Sequence, residues 1–229
     1  MSGQQDELEV ARDAMLRLLR QHIRDARVLD AMASVPRERF VAPHLVPHAY
    51  DDRALPIGDG QTISQPLVVG LMLEALGLSG NERVLEVGTG SGYVAALLSR
   101  LAREVVTVER KASLIERARE RLERFGATNV RVREAGSELG SADDAPFDAI
   151  LVSAAAPHVP RVLIEQLADR GRLVIPVGGL RSQELMRATN TAHGVDLERL
   201  GPCAFVPLIG AQAWPPEEPG NVATNFNVR

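Results

Sequence analysis

Short apolar runs rich in β-branched residues alternate with amphipathic stretches through the middle of the chain. Short apolar runs are typical of buried strands, and apolar residues three or four positions apart are typical of helices. We predict strands at 83–87, 105–109, 130–133, 147–153 and 171–177. Helices are predicted at 67–76, 93–101, 112–125 and 160–168. This alternation favours βαβ units, which build a mostly parallel sheet with helices on both faces.

The two ends of the chain follow other patterns. Before the first strand, apolar residues at helical spacing predict one helix over 6–22 and a second, short helix that ends before Pro36. Near the C-terminus, extended segments at 184–189, 195–200 and 204–208 are separated by turn residues. We therefore predict N-terminal helices and an antiparallel C-terminal extension of three short strands.

A glycine-rich loop after the first predicted strand is the strongest local indication of chemistry. Gly88, Gly90 and Gly92 form the pattern G-x-G-x-G, and Tyr93 stands where a dinucleotide-binding loop has its third glycine. Glu109 ends the second strand, where a carboxylate can accept hydrogen bonds from both hydroxyls of a ribose. A ligand with a ribose but no pyrophosphate points to S-adenosylmethionine. The alternative is a tight turn beside a solvated carboxylate.

Composition and charge exclude several classes of protein. The chain has 229 residues, 45% of them hydrophobic, and its net charge of -4 does not favour binding to nucleic acid. Cys203 is the only cysteine, and no apolar stretch is long enough to span a bilayer. We expect a cytoplasmic monomer that binds neither metal, nucleic acid nor membrane.

Several segments carry a resemblance to a known family. They include VPRERFV at 35–41, AYDD at 49–52, LPIG at 55–58, GQTISQP at 60–66, LEVGTGSGY at 85–93, VER at 108–110, APFDAI at 145–150, AAAP at 154–157, GRLVIPVG at 171–178 and FVPL at 205–208. Many methyltransferases share the glycine loop, whereas the TISQP segment just upstream and the Val-Pro-Leu tail are more specific. In these features the chain resembles the protein-L-isoaspartate O-methyltransferases.

The resemblance implies a fold, a cofactor and a substrate. The implied fold is a Rossmann-like class I methyltransferase with a modified sheet order in one domain, 1–229. The domain consists of the N-terminal helices with the active-site loop (1–66), the nucleotide-binding core (67–178), and the C-terminal strands with the tail (179–229). S-adenosylmethionine is the implied methyl donor, S-adenosylhomocysteine the product, and isoaspartyl-containing proteins and peptides the acceptors. The implied cofactor-binding residues are Thr62, Ile63, Gln65, Glu86, Gly88, Thr89, Gly90, Ser91, Gly92, Glu109, Arg110 and Gly136.

Ser64 matches the active-site serine of this family. A carboxylate is already ionised at neutral pH, so methyl transfer to it needs no general base, and we assign Ser64 to orienting the acceptor. From the residues alone, Ser64 is equally well explained as the N-cap of a helix with Pro66 at its second position, although Leu67 does not complete a capping box. Asp52 matches an acidic position of the family or forms an Asx-turn before Leu55.

One stretch departs from the family pattern. Ala135-Gly136-Ser137 stands where the family commonly has Gly-Asp-Gly, and Ser141 replaces an aromatic residue. Glu134 or Glu138 is a candidate to replace the missing adenine contact. Two alternatives therefore stay open: a carboxyl methyltransferase for an aspartate in a dedicated peptide, and a catalytically silent S-adenosylmethionine-binding module.

Overall fold

The computed structural model of the protein describes residues 2–215. The helices are α1 (Ser2–His22), α2 (Ala26–Ser34), α3 (Pro66–Leu76), α4 (Tyr93–Leu101), α5 (Ala112–Phe125) and α6 (Arg161–Ile164). The strands are β1 (Leu55–Gly58), β2 (Gln61–Ile63), β3 (Arg83–Val87), β4 (Glu104–Glu109), β5 (Val130–Glu134), β6 (Phe147–Val152), β7 (Leu167–Gly178), β8 (Gln183–Thr191) and β9 (Gly194–Cys203). Short 3-10 helices span Arg37–Phe40, Pro43–His48 and Ala142–Asp144.

The central sheet has seven strands in the order β5-β4-β3-β6-β7-β8-β9. Strands β3 to β7 pair in parallel, and β8 and β9 continue the sheet in antiparallel fashion. The chain runs outward from β3 to β5 and then returns to place β6 beside β3, so the strand order reverses between these two strands. Ligands of such sheets bind beyond the carboxyl ends of the strands at this reversal. The predicted fold class is confirmed.

Alternate residues of the strands feed two hydrophobic cores, because successive side chains of a strand point to opposite faces. Val84 belongs to the core shared with α1, α2, α3 and α4 and with the buried face of α5. Leu85 belongs to the core on the other face, which the one-turn helix α6 covers through Leu163 together with the non-helical residues Leu139 and Leu208. Helices therefore lie on both faces, but very unequally.

The predicted strand at 204–208 is wrong. The side chain of Gln183 bonds both backbone groups of Phe205: its Oε1 accepts from the N–H at 2.7 Å and its Nε2 donates to the carbonyl at 3.0 Å. Further on, the N–H of Leu208 donates to the carbonyl of Ala155 at 2.8 Å. The segment is extended, but its backbone partners come from a side chain and from the loop after β6, not from β9.

Two other predictions need correction. The helix predicted over 160–168 ends at Ile164, because the carbonyl of Gln166 accepts from the N–H of Phe147 and Leu167 already pairs with Phe147 at the start of β6. The polar segment before α3, which we interpreted as a loop, forms the antiparallel hairpin β1–β2.

Candidate active site

The hairpin β1–β2 lies against the glycine loop (residues 88–92), so the two segments singled out in the sequence converge. A Cβ atom built on Gly90 would lie 3.4 Å from Cδ1 of Ile57 in β1. At the tip of the hairpin, the carboxylate of Asp59 accepts hydrogen bonds from Ser113 Oγ and from Arg117 Nη2, both at 2.7 Å. These contacts hold the hairpin across the end of the sheet and against α5.

The glycine loop follows β3 at the reversal of strand order. Gly88, Gly90 and Gly92 have φ angles of 97°, 53° and 87°, a region that glycine enters with little steric cost. The N–H of Gly88 donates to the carbonyl of Val108 at 2.9 Å, and a Cβ on Gly88 would lie 3.5 Å from Cβ of Ser153. The backbone is thus threaded between the ends of β4 and β6, where glycine allows close approach to a ligand.

Glu109 ends β4 beside this loop and is 9% exposed. Its Oε2 accepts from the N–H of Gly90 at 3.0 Å, and its Oε1 accepts from the N–H groups of Arg110 at 2.7 Å and Lys111 at 3.0 Å. These bonds fix the carboxylate before any ligand arrives. A carboxylate has about four acceptor sites and these three bonds leave one on Oε2, so the group keeps capacity for a ribose hydroxyl. Its position and chemistry fit the cofactor that the sequence indicates.

Glu86 lies below the glycine loop and has no exposed surface. Its Oε2 accepts from Thr107 Oγ1 at 2.6 Å, and the Thr107 hydroxyl lies 2.7 Å from that of Thr89 in the loop. Burial raises the pKa of Glu86 to about 8, opposed by the Thr107 hydrogen bond and assisted by the charge of Glu109. Within residues 2–215, Oε1 has no hydrogen-bond partner. Glu86 therefore supports the loop from inside as a mostly protonated acid at neutral pH.

The remaining residues predicted around the glycine loop have different surroundings. The Oγ of buried Ser91 accepts from the N–H of Tyr93 at 3.3 Å and so closes the turn into α4. The guanidinium of Arg110 donates to the carbonyl of Ile209 at 3.1 Å, so this side chain ties β4 to the C-terminal segment. Gly136 is exposed beyond the end of β5. The backbone N–H of Arg110 therefore lies at the site, bonded to Glu109, whereas its side chain points to the C-terminal segment.

Ser64 lies in the segment of residues 62–65, the TISQ loop, and does not cap α3. The N-cap of α3 is Gln65, and the helix begins at Pro66. The carboxylate of Asp52 accepts from the N–H of Leu67 at 2.9 Å and from Nε2 of Gln65 at 2.8 Å. Asp52 is therefore the residue that satisfies the first turn, and both the cap interpretation of Ser64 and the Asx-turn at Asp52 are wrong. Within residues 2–215, the Ser64 hydroxyl makes no hydrogen bond.

The other members of the TISQ loop are oriented by the hairpin. Thr62 and Ile63 belong to β2 and pair with Pro56 and Leu55. Ile63 is buried in the core, whereas Thr62 is half-buried. Thr62 therefore belongs to the hairpin that contacts the glycine loop through Ile57, and Ile63 points into the protein.

Arg37 is a residue of this site that the sequence did not reveal. It has no exposed surface, and its Nη2 donates to the carbonyl of Ser64 at 2.8 Å. Arginine is rarely buried, so residue type alone does not predict a buried position here. The only signal was its place between Pro36 and the apolar residue Phe40 in VPRERFV.

The stretch that departs from the family pattern is held by its own hydrogen bonds. The side chain of Gln166 accepts from the N–H of Ser141 at 2.8 Å and donates to the carbonyl of Leu139 at 2.9 Å. Ser141 Oγ donates to Asp144 at 2.7 Å. Ser141 therefore stabilises the loop. Glu134 and Glu138 are both exposed near it, and their contact with adenine stays a prediction.

Neither a metal site nor a membrane-spanning helix is found among the described residues. Between residues 2 and 215, no group of three or more His, Cys, Asp or Glu side chains is arranged to hold a metal ion. No helix in this part of the chain is both long and apolar enough to cross a membrane.

The parallel sheet that continues into two antiparallel strands, with a tight glycine loop after one strand and an acidic residue at the end of the next, is the fold of a class I, Rossmann-like methyltransferase, as the solved structures it resembles show. The sequence model of the protein-L-isoaspartate(D-aspartate) O-methyltransferase family matches residues 10–213. The chain belongs to this family, as its resemblance indicated.

Individual relatives and structures agree with this assignment. The chain is 56% identical to the protein-L-isoaspartate O-methyltransferase of Roseiflexus sp. (strain RS-1), over 90% of this chain and 95% of that protein. It is 58% identical to the enzyme of the same name from Anaeromyxobacter dehalogenans (strain 2CP-C), over 81% and 90%. A solved protein-L-isoaspartate O-methyltransferase superposes with a TM-score of 0.80 at 28% identity, covering 88% of this chain and 67% of that one. A Plasmodium falciparum structure described as a putative member, in complex with S-adenosyl-L-homocysteine, gives 0.73 at 26% identity, covering 84% and 95%.

Proposed function

We propose that this protein transfers a methyl group from S-adenosylmethionine to the α-carboxylate of L-isoaspartyl residues in proteins and peptides, with Ser64 orienting the acceptor. The observation that carries the proposal is the pairing of two loops. The TISQ loop presents a hydroxyl with no hydrogen bond inside the described chain, and its hairpin contacts Gly90 of the glycine loop through Ile57. Family membership and the complex of the Plasmodium relative support the choice of cofactor.

The donor side of the site is built from the ends of β3 and β4. When bound, S-adenosylmethionine supplies a methyl carbon on a positively charged sulfur, which a carboxylate can displace without proton transfer. We assign Glu109 to the ribose hydroxyls, since its carboxylate is fixed by backbone N–H groups and keeps acceptor capacity. The backbone of residues 88–92 would hold the remaining polar atoms of the cofactor. Glu86 holds this backbone in place through Thr107 and Thr89.

The acceptor side is built from the TISQ loop. Ser64 donates its hydroxyl to one carboxylate oxygen and leaves the other free to attack. In-line transfer requires the attacking oxygen about 3 to 3.5 Å from the methyl carbon, so orientation is the main contribution that this side must make. No catalytic base is needed, because an ordinary carboxylate has a pKa near 4 and is ionised at neutral pH. The resulting ester is open to attack by the neighbouring amide, which gives a succinimide and begins repair.

Labelled methyl transfer to two matched peptides tests the proposal. One peptide contains isoaspartate and the other aspartate at the same position, and we expect labelling of the first only. Ser64→Ala removes one hydrogen bond to a charged group, worth about 1.5 to 3 kcal/mol, so transfer should fall about 10- to 150-fold. The affinity for S-adenosylhomocysteine should stay unchanged in isothermal titration calorimetry.

Ser34→Ala is the matched control for this experiment, because the Ser34 hydroxyl bonds only the carbonyl of Ala31 in α2. Its methyl transfer should equal that of the wild type. Equal labelling of both peptides would favour a methyltransferase for another carboxylate, and no labelling would favour a silent cofactor-binding module. The first alternative rests on the altered stretch 135–141, and within it the hydrogen bond to Asp144 explains Ser141 structurally.

We further propose that residues 1–229 act as one domain, as a monomer in the cytoplasm. Light scattering of the purified protein and fractionation of the cells that produce it would test the last two statements. Association into a stable dimer, or recovery with membranes, would contradict them.

A further inference from the structure

Arg37 is a buried cation beside the TISQ loop, and the mechanism above gives it no task. Its Nε donates to the carbonyl of Ala49 and its Nη2 to that of Ser64, each at 2.8 Å. The guanidinium carbon lies 5.0 Å from the centre of the Tyr93 ring. Within residues 2–215, Nη1 has no hydrogen-bond partner, and none of the ion pairs includes Arg37.

Holding two carbonyls does not by itself require a charge. Moving a cation out of water is costly unless an anion compensates it, and burial lowers the pKa of Arg37. The Tyr93 side chain, the negative charge of nearby Asp52 and the two carbonyl dipoles oppose this effect, but the pKa is still lowered, so they compensate only part of the cost. A neutral donor would bond the same carbonyls more cheaply. The buried charge of Arg37 therefore indicates that an anionic group binds next to it.

The hydrogen bond from Arg37 also fixes the direction of the Ser64–Gln65 peptide, which is trans. In a trans peptide the carbonyl and the following N–H point to opposite sides. Because the Ser64 carbonyl points at Arg37, the N–H of Gln65 points away from it. This N–H donates to no protein acceptor in the described part of the chain. A charged donor on the carbonyl polarises the peptide and strengthens its N–H as a donor.

We propose that Arg37 is a positioning residue that makes the site selective for an anionic acceptor. It presents the Ser64 hydroxyl and the Gln65 N–H together to the acceptor carboxylate. Its buried charge favours that carboxylate over a neutral group of the same shape. The inference rests on the proposed function, because it concerns recognition of the same acceptor by the same loop.

Two peptides that differ in one group separate this role from a structural one. One contains isoaspartate, and in the other a carboxamide replaces the α-carboxylate. Their dissociation constants are measured by isothermal titration calorimetry in saturating S-adenosylhomocysteine. The wild type should prefer the carboxylate. In Arg37→Gln this preference should fall about tenfold, the effect of losing one charge-assisted interaction. Arg37→Lys keeps the charge and should keep most of the preference.

Arg27 offers a matched control, since its guanidinium also bonds two backbone carbonyls, those of Leu78 and Leu101. Arg27→Gln should leave the preference unchanged. Equal weakening of both peptides by Arg37→Gln would overturn the proposal and make Arg37 structural. If thermal unfolding shows that Arg37→Gln does not fold, Arg37→Lys decides: a folded lysine variant without the preference overturns the proposal.

The two levels of inference fail separately. A wild-type protein that methylates no isoaspartyl peptide contradicts the proposed function. A wild-type protein that methylates it, with an unchanged carboxylate preference in a folded Arg37→Gln variant or a lost preference in a folded Arg37→Lys variant, contradicts only the role of Arg37.

Discussion

At the scale of single residues, the site depends on polar groups that are buried beneath its loops. Glu86, Arg37 and Thr107 have no exposed surface, yet each is bonded to a backbone or hydroxyl group near the ligand-facing loops. Such groups cost free energy to bury unless they are satisfied, and in return they restrict the loop above them to one conformation. The conformation of the loops at the site is therefore fixed by buried polar side chains beneath them.

The raised pKa of Glu86 predicts how the stability of the protein depends on pH. This pKa is raised to about 8, so between the ordinary carboxyl pKa and that value the folded protein binds a proton that the unfolded chain releases. The stabilising contribution of this proton is complete at low pH and is lost as the pH rises through about 8. In Glu86→Gln this loss disappears. Between the ordinary carboxyl pKa and about 8, the free energy of unfolding of the variant should therefore rise relative to that of the wild type by up to about 1.4 kcal/mol per pH unit.

Urea unfolding at pH 5, 7 and 8.5 measures this difference. Glu116→Gln on the exposed side of α5 is the control, since it removes the same charge from a solvated position. The control should show no such trend. A difference between Glu86→Gln and the wild type that does not change with pH would contradict a protonated Glu86.

At the scale of elements, the loop after β5 is predicted to depend on one side chain that follows α6. Gln166 is 4% exposed and bonds both the N–H of Ser141 and the carbonyl of Leu139. Gln166→Leu leaves these groups without partners, and the free energy of unfolding should fall by about 1 to 3 kcal/mol. Denaturant unfolding measures the loss. Gln21→Leu, at an exposed position of α1, should unfold like the wild type, and equal stability of the two variants would contradict the prediction.

The elements also show what the sequence could predict. The core strands were predictable because buried parallel strands read as short apolar runs, and their ends locate the glycine loop and Glu109. The hairpin β1–β2 was not, because a polar segment with glycines such as Gly58 and Gly60 reads as a loop. The extended conformation of 204–208 was predictable. The hydrogen-bond partners of this segment were not, because the side chain of Gln183 bonds the backbone of Phe205 in place of a neighbouring strand.

The candidate site was predictable to a similar degree. The glycine loop stands out as a local motif that can be recognised from the residues alone. Ser64 was singled out by the resemblance, because from the residues alone a helix cap explained it equally well. The roles of Asp52 and Arg37 depend on partners 15 and 27 positions away, and no spacing rule connects such residues. The same reason explains why Ser64 looked like a helix cap: the group that satisfies α3 comes from Asp52.

At the scale of the whole molecule, ligand binding should stabilise the chain as one unit. The site joins the hairpin, α5 and β4, and through Arg110 the segment at Ile209. S-adenosylhomocysteine at 100 times its dissociation constant should raise the free energy of unfolding by about 2.7 kcal/mol. Thermal unfolding should show a single transition that moves upward with ligand. Two transitions, of which only one moves, would contradict the single domain.

The TISQ loop and the groups assigned to the donor come from different segments of the chain. Arg37 and Asp52 fix this loop from earlier in the chain, so the loop that we propose to meet the acceptor is held by residues of the first segment, before residue 68. The groups assigned to the donor lie between 86 and 110. We predict that a chimaera of two such enzymes joined between α3 and β3 inherits its acceptor preference from the parent of the first segment. Its cofactor affinity should depend on both parents, because Thr62, Ile63 and Gln65 of the first segment are also predicted to bind the cofactor.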